Sequence, residues 1–148
     1  YVKKHPDGDP FKFSSPTTIE TAKLLGMGLG LYWGEGTKAN KTSVRLGNTD
    51  PKLINMFIKF LIKICGINKK DLKFGLQIFT DLNPSETLGY WINQLEVKKE
   101  QFYKTIVTKS GSLGTYRKKS EYGVITIHYH NKKLRDLLVK MLLKNDAY

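Results

Sequence analysis

The residue whose position most suggests chemistry is Glu35, which ends a glycine-rich apolar segment and is followed by Gly36. The segment is predicted to be a helix. The helix dipole disfavours a carboxylate at its C-terminal end by roughly 0.3–1 kcal/mol. A cation bound at that end would offset this cost. The alternative interpretation is a glutamate that points into solvent.

The same segment carries small residues at every fourth position: Ala22, Gly26, Gly30 and Gly34. In a helix they line one slowly rotating stripe. Such a stripe allows a second helix to approach closely. Each glycine inside a helix costs about 0.5–1 kcal/mol relative to alanine, so a packing role is expected. The partner is either a helix of a second subunit or another element of the same chain.

The charge of the chain indicates a polyanionic partner. The formal net charge is +12, from 25 Lys and Arg against 13 Asp and Glu, and nucleic acid is the partner that such an excess favours. Arg45, Asn48 and Gln77 have side chains that hydrogen bond to base edges, whereas the lysines suit phosphate oxygens. For each residue the alternative is a solvated charged surface. The residues predicted to contact DNA are Lys38, Lys41, Arg45, Asn48, Gln77, Lys109, Tyr116, Arg117, Lys118, Lys119 and His128.

Histidine and cysteine give weaker signals. His128 and His130 share one face of a predicted strand, because side chains alternate along a strand. A zinc site would need a third ligand that the sequence does not supply, so a pair that faces a DNA groove or solvent is favoured. The single cysteine, Cys65, excludes an intramolecular disulfide and agrees with a cytoplasmic protein. We expect Cys65 to lie in the core.

The elements that must position these residues follow from apolar periodicity and from capping residues. A turn-rich arm over residues 1–14 precedes a single domain over residues 15–148. The predicted elements are a helix from Ser15-Pro16 to about Gly34, a hairpin of 36–39 and 42–48 around Asn40-Lys41, a helix from Asp50-Pro51 to about Cys65, a strand over 72–80, a helix that begins at Asn83, strands over 105–108 and 124–130, and a last helix capped by Asn131.

This order predicts an α+β fold with helices packed on one face of an antiparallel sheet. No apolar run reaches the roughly 18 residues that a membrane-spanning helix needs. The polar N-terminal residues do not form a secretory signal. Because no membrane-spanning run is present, a membrane partner is not expected. No internal repeat of the whole unit is evident.

The segment Gly28-Leu29-Gly30-Leu31-Tyr32-Trp33-Gly34-Glu35-Gly36 resembles the nine-residue motif of the LAGLIDADG homing endonucleases. Gly30, Leu31 and Gly36 match the motif, and Glu35 replaces its final aspartate. The other positions depart from it, including Trp33, where the motif has its first aspartate. The family's order of helix, hairpin, helix, strands and helix is similar to residues 16–144, with the poorest agreement over 84–108.

The resemblance implies a homing-endonuclease-like domain that acts in intron or intein mobility. Because the chain has one motif, it implies a homodimer joined along the small-residue stripe and a pseudo-palindromic double-stranded DNA site. Glu35 and Gly34 would bind Mg²⁺ beside the scissile phosphates, and Lys118 or Lys119 would supply a catalytic cation. A small-molecule substrate is not implied.

Two other functions remain open from the sequence. A non-cleaving DNA-binding transcriptional regulator on the same fold is favoured by the shortness of the predicted hairpin. An RNA-binding module is allowed by the charge, although the sequence lacks the stacking aromatics of the common RNA-binding sheets. The retained acidic residue Glu35 favours the endonuclease.

Overall fold

In the computed structural model, which describes residues 1–109 and 121–146, helices and strands alternate along much of the chain. The helices are α1 (Ile19–Glu35), α2 (Pro51–Lys63), α3 (Pro84–Leu95) and α4 (Lys132–Asp146). The strands are β1 (Val44–Asn48), β2 (Lys73–Phe79), β3 (Ile106–Thr108) and β4 (Val124–Tyr129). Short 3₁₀ turns at Lys69–Asp71 and Lys99–Gln101 precede β2 and β3. The predicted α+β class is confirmed.

The four strands form one mixed sheet in the order β1-β4-β2-β3. Strand β4 is antiparallel to both β1 and β2, whereas β3 is parallel to β2. The expectation of an antiparallel sheet is therefore wrong for β3. The reason is that α3 lies between β2 and β3 and returns the chain to the end where β2 began, as a parallel pair requires.

One face of the sheet forms the floor of the hydrophobic core. The buried strand residues alternate with less buried ones, and they are Val44, Leu46, Phe74, Leu76, Ile78, Ile125, Ile127 and Tyr129. Apolar side chains from all four helices, such as Leu24, Phe57, Trp91 and Leu134, belong to the same core. The opposite face of the sheet carries residues that are half-buried or exposed, and we call it the open face.

Helix α1 begins later than the sequence predicts. Its N-cap is Thr18, whose hydroxyl accepts a hydrogen bond from the Thr21 backbone N–H at 3.1 Å. The Thr21 hydroxyl accepts in return from the Thr18 N–H at 3.1 Å. This reciprocal capping satisfies two free N–H groups, so it outweighs the Ser15-Pro16 start that the sequence favours.

Helix α1 packs against α2 through Gly28. A Cβ atom at this position would lie less than 3.0 Å from carbons of the Phe60 ring, which is fully buried. The Tyr32 and Phe57 rings stack next to this contact, with 6.2 Å between centroids. Only glycine therefore fits at position 28 without a shift of Phe60, although Gly28 lies outside the four-residue stripe.

The other helix starts agree with their predicted caps. Asp50 accepts from the Lys52 N–H at 2.9 Å, Asn83 from the Glu86 N–H at 3.1 Å and Asn131 from the Leu134 N–H at 2.9 Å. Each cap satisfies a backbone donor in the first turn of its helix.

The N-terminal arm is bound to the end of α2. The backbone N–H groups of Lys12 and Ser14 donate to the carbonyls of Cys65 and Ile64 at 2.9 and 2.8 Å. Gly66 has a positive φ of 66°, and a Cβ there would lie less than 3.0 Å from the Lys12 backbone. The arm therefore crosses the end of α2 closely at a glycine.

The predicted hairpin is wrong in its first half. Residues 36–39 form no regular strand; Gly36 makes a single bridge to Leu46, and the Thr37 N–H donates to the Arg45 carbonyl at 2.9 Å. The Asn40 side chain accepts from the N–H groups of Thr42 and Ser43, each at 3.0 Å. This local side-chain turn replaces the two-residue hairpin turn that the sequence suggested.

No helix within residues 1–109 and 121–146 has both the length and the apolar character needed to cross a membrane.

Candidate nucleic-acid interface

Three rows of side chains cross β4 on the open face of the sheet, and Phe79 of β2 with Thr108 of β3 forms a further pair beyond them. The first row is cationic at both ends, because Arg45 of β1 and Lys73 of β2 are both paired with His128 of β4. All three residues are half-buried. Two positive charges are thus held on either side of an imidazole in the centre of the face.

The second row is almost bare. Gly47 and Gly75 flank Thr126 in the same register. A Cβ at Gly47 would lie 2.9 Å from the Thr126 Oγ1, and one at Gly75 would lie 3.3 Å from the His128 Nε2. The glycines therefore make room for neighbouring side chains and leave a shallow band between the outer rows.

The third row combines an amide with apolar side chains. Gln77 of β2 is paired with Val124 of β4 on one side and with Ile106 of β3 on the other. Ile106 is 61% exposed and Val124 is 36% exposed. The Gln77 amide nitrogen donates to the Thr108 Oγ1 at 3.1 Å, which fixes the amide in an exposed position.

An aromatic group stands over the cationic row. The Tyr103 ring meets the His128 ring edge-on with 5.4 Å between centroids, and the His128 and His130 rings stack at 5.9 Å. The Tyr103 hydroxyl and the His130 Nε2 share a hydrogen bond. The Tyr103 N–H donates to the Phe74 carbonyl at 2.9 Å, which places this residue beside β2.

Both histidines on this face are biased towards the neutral form. Burial, followed by the charge of Arg45 and by His130, lowers the pKa of His128 to about 4. Burial, Arg45 and Lys73 lower the pKa of His130 as well. At neutral pH the positive charge of the first row is therefore carried by Arg45 and Lys73, and the imidazoles act as neutral rings.

The structure brings together three of the residues predicted to contact DNA. Arg45, Gln77 and His128 all lie on the open face, in its first and third rows. Lys41 is exposed in the loop that precedes β1, and Lys109 directly follows β3. Tyr116, Arg117, Lys118 and Lys119 lie outside the described residues.

Two predicted residues have other roles in the structure. The Asn48 Oδ1 accepts from the N–H groups of Thr49 and Asp50, both at 2.9 Å, and so shapes the turn into α2. The Lys38 ammonium donates to the carbonyl of Tyr32 at 3.2 Å and to that of Trp33. Neither side chain joins the rows of the open face.

Several residues of this face are not among those predicted from the sequence. The position of Lys73 on this face is predictable from the sequence, because strand alternation puts its side chain on the same side as that of Gln77. Ile106 and Val124 lie in predicted strands, but their exposure was not foreseen. Tyr103 carried no signal, since its position depends on the 3₁₀ turn before it and on a backbone bond to β2.

The end of α1 holds Glu35 as an exposed residue. Among the described residues its carboxylate has no hydrogen-bond or ion-pair partner. The carboxylate of Glu35 and the backbone carbonyl of Gly34 are oxygen donors of the kind that Mg²⁺ takes, and they fit as one half of a site. However, Lys38 already supplies a cation to the helix end, so the dipole argument for a metal is weakened.

The described residues of one chain form no metal-binding cluster. Residues 1–109 and 121–146 contain no group of three or more His, Cys, Asp or Glu side chains that could hold a metal ion. A zinc site at His128 and His130 is therefore not supported by the described part of the chain.

The small-residue stripe lies on the exposed side of α1. Ala22, Gly26, Gly30 and Gly34 are exposed, and Cβ atoms at the three glycines would have nothing within 4 Å. Trp33, beside the stripe, is 55% exposed. Packing of the stripe against another described element of the same chain, the alternative left open by the sequence, is thereby excluded.

In comparisons with known proteins, no family model, no curated protein and no solved structure matches this chain.

Proposed function

We propose that the chain binds double-stranded DNA site-specifically as a homodimer and cleaves it with Mg²⁺, in the manner of the LAGLIDADG homing endonucleases. The observation that carries this proposal is the open sheet face, which presents Arg45 and Lys73 in its first row and Gln77 in its third. Arginine and lysine suit guanine edges and phosphates, and glutamine suits adenine. The net charge of +12 adds attraction that does not depend on sequence.

The exposed side of α1 supports the homodimer. From Leu24 to Gly34 helix α1 carries no charged side chain, and an apolar helix surface of this kind is normally buried. It nevertheless leaves Met27 and Trp33 exposed beside the glycine stripe, as well as Ile19 at its start. A second α1 with the same stripe would cover these residues and approach closely at Gly30. Two-fold pairing would also give the pseudo-palindromic DNA site proposed from the resemblance.

The dimer would bring two copies of Glu35 together, one from each subunit. In this proposal the Glu35 carboxylates and the Gly34 carbonyls would hold Mg²⁺, which would supply activation of water and stabilisation of the leaving oxygen. The Glu35 carboxylates repel each other in its absence. Lys118 or Lys119 is proposed as the cation beside the scissile phosphate. We also propose a cytoplasmic protein, in agreement with the free buried thiol of Cys65.

The test of the DNA proposal begins with selection of a bound sequence from a random double-stranded pool, followed by addition of Mg²⁺. The wild type is expected to cut the selected DNA. Glu35→Gln keeps the shape and removes the charge, so it should abolish cleavage while DNA affinity stays equal or rises. Glu20→Gln, an exposed carboxylate at the other end of α1, is the matched control and should still cleave.

The second candidate is a regulator that binds the same DNA without cutting it. The observation that favours it is the Lys38 ammonium at the end of α1, which satisfies this helix end without a metal. Residues 36–39 make only a single bridge in place of the predicted strand, so the sheet proposed to contact DNA is also smaller than the sequence predicts. Selected DNA that stays intact through long incubation with Mg²⁺ and active dimer would refute the endonuclease and leave the regulator.

The dimer has its own test. Gly30→Leu should lower the dimer fraction measured by light scattering, because the side chain would hold the two helices apart. Gly89→Leu is the control, since Gly89 is a helical glycine with open space that lies on α3, outside the stripe. A wild type that remains monomeric with and without DNA would contradict the proposed assembly.

A further inference from the structure

The third row of the open face, Val124–Gln77–Ile106, contains two exposed apolar residues that are not part of the hydrophobic core. The pairing register sets Gln77 between the two apolar residues, and adjacent strands lie about 4.8 Å apart. The core is served by the alternate residues on the other face, such as Ile78 and Ile125, which are fully buried. Branched apolar side chains at 124 and 106 are thus free to meet a partner.

The chemistry of this row matches one kind of base pair. In the major groove the C5 methyl of thymine is the apolar group that marks a base edge, and in an A·T pair it lies on the same groove edge as the adenine N7 and N6, beyond the thymine O4. A glutamine amide can donate to N7 and accept from N6. One Gln77 N–H is used by Thr108, which leaves the second N–H and the carbonyl oxygen for a base.

We propose that the Val124–Gln77–Ile106 row recognises an A·T pair, with Gln77 on the adenine edge and Ile106, the more exposed of its two apolar neighbours, against the thymine methyl. This inference rests on the proposed DNA binding and names the base that one part of the surface selects.

The two outer rows then have different preferences. Lys73 and Gln77 are four residues apart on β2, or roughly 13 Å along a strand. Along the groove this equals about four base-pair steps. The cationic row at Arg45 and Lys73 is expected to face guanine or phosphate at one end of each half-site, and the amide and apolar row to face A·T at the other.

The experiment replaces single thymines of the selected site by deoxyuridine, which removes the methyl group and keeps the O4 acceptor. Binding is measured by fluorescence anisotropy at fixed salt. With the wild-type protein, one or two thymine positions in each half-site should lose affinity about three- to fivefold, the effect of exposing one buried methyl. All other replacements should have little effect.

Two variants identify the side chain responsible. Ile106→Ala should weaken binding to the thymine site and remove the difference between thymine and deoxyuridine at the sensitive position. Val107→Ala is the matched control on the same strand: Val107 is 47% exposed but is paired with Ile78, so it faces away from the open face. Its thymine preference should remain that of the wild type.

The possible failures are distinguishable. If the protein binds the selected DNA but tolerates deoxyuridine at every position, the thymine inference is wrong and the DNA proposal stands. A deoxyuridine effect that persists in Ile106→Ala and in a Val124→Ala variant would also overturn it. If no double-stranded DNA binds even at low salt, the proposed function itself fails and this inference fails with it.

Discussion

Alanine substitutions along α1 test the packing of this helix most directly, because neighbouring glycines have opposite surroundings. Gly26 and Gly30 face open space, whereas a Cβ at Gly28 would overlap the Phe60 ring. All three glycines are helical, so the backbone preference for alanine is the same at each. Differences in the free energy of unfolding between these variants should therefore depend only on the atoms that surround each position.

The expected magnitudes follow from that contrast. At an open helical position alanine is more favourable than glycine by about 0.8–1 kcal/mol, so Gly26→Ala combined with Gly30→Ala should stabilise the monomer by roughly 1.5–2 kcal/mol. At Gly28 the same gain is opposed by overpacking, which typically costs about 1–3 kcal/mol or more. Because the overlap is with a fully buried ring, we expect Gly28→Ala to be destabilised overall.

The assay is urea unfolding at low protein concentration without DNA, with thermal melting as a second measurement. The double variant should raise the melting temperature by roughly 3–8 °C. Gly89→Ala on α3 is a control that should gain stability like a single stripe variant. Phe60→Leu should be less harmful in the Gly28→Ala background than in the wild type, with a coupling energy of at least about 1 kcal/mol.

Two results would refute the reasoning. Loss of monomer stability in the double variant would mean that the stripe packs inside the chain. A Gly28→Ala protein as stable as the double variant would mean that α1 and α2 are farther apart than described. Should the double variant be more stable as a monomer yet dimerise less, both the exposed stripe and the proposed dimer would be supported.

Three further predictions concern charge, acid and the thiol. DNA affinity should fall steeply between low and moderate salt; neutralising residues 117–119 should weaken all sequences about equally, whereas Arg45→Ala should also relax specificity in competition assays. His128, with a folded pKa of about 4 against an ordinary 6.5, stays neutral in the fold while the unfolded chain takes up a proton. The contribution of neutral His128 to the free energy of unfolding should therefore be fully present above about pH 6.5 and be lost as the pH falls towards 4. His128→Gln should show a smaller fall in the urea midpoint over that range. Burial raises the pKa of Cys65 to about 12, so iodoacetamide should label it only under unfolding conditions; rapid labelling of the native protein would contradict its burial.

The features that the sequence predicted correctly depend on neighbours along the chain. The caps Asp50, Asn83 and Asn131 each bond to a backbone N–H two or three residues later. Strand alternation in β2 and β4 likewise follows from residue types at a period of two. Because these signals are local, they predict the four helices and the strands β1 to β4 to within a few residues.

The features that were missed depend on residues far apart in the sequence. Gly28 departs from the motif in the sequence, and only the fold brings Phe60 of α2 against it. The first hairpin strand gave way to the Asn40 turn and to the contact of Lys38 with the end of α1. The parallel direction of β3 and the neighbours that depress the pKa of His128 follow from the strand order, which no local pattern specifies.

The strand order also has a consequence for how the chain folds. β4 is the last strand in the sequence, yet it lies between β1 and β2 and is hydrogen-bonded to both. Until residues 124–129 are in place, β1 and β2 have no common neighbour, and closing the β1–β4 loop must overcome the entropy of a long intervening segment. Helices α1 and α2 can pair early, but the sheet is completed late, as is typical of slow folding with many distant contacts. We therefore expect the open face, which contains residues of all four strands, to form only in the last stage of folding.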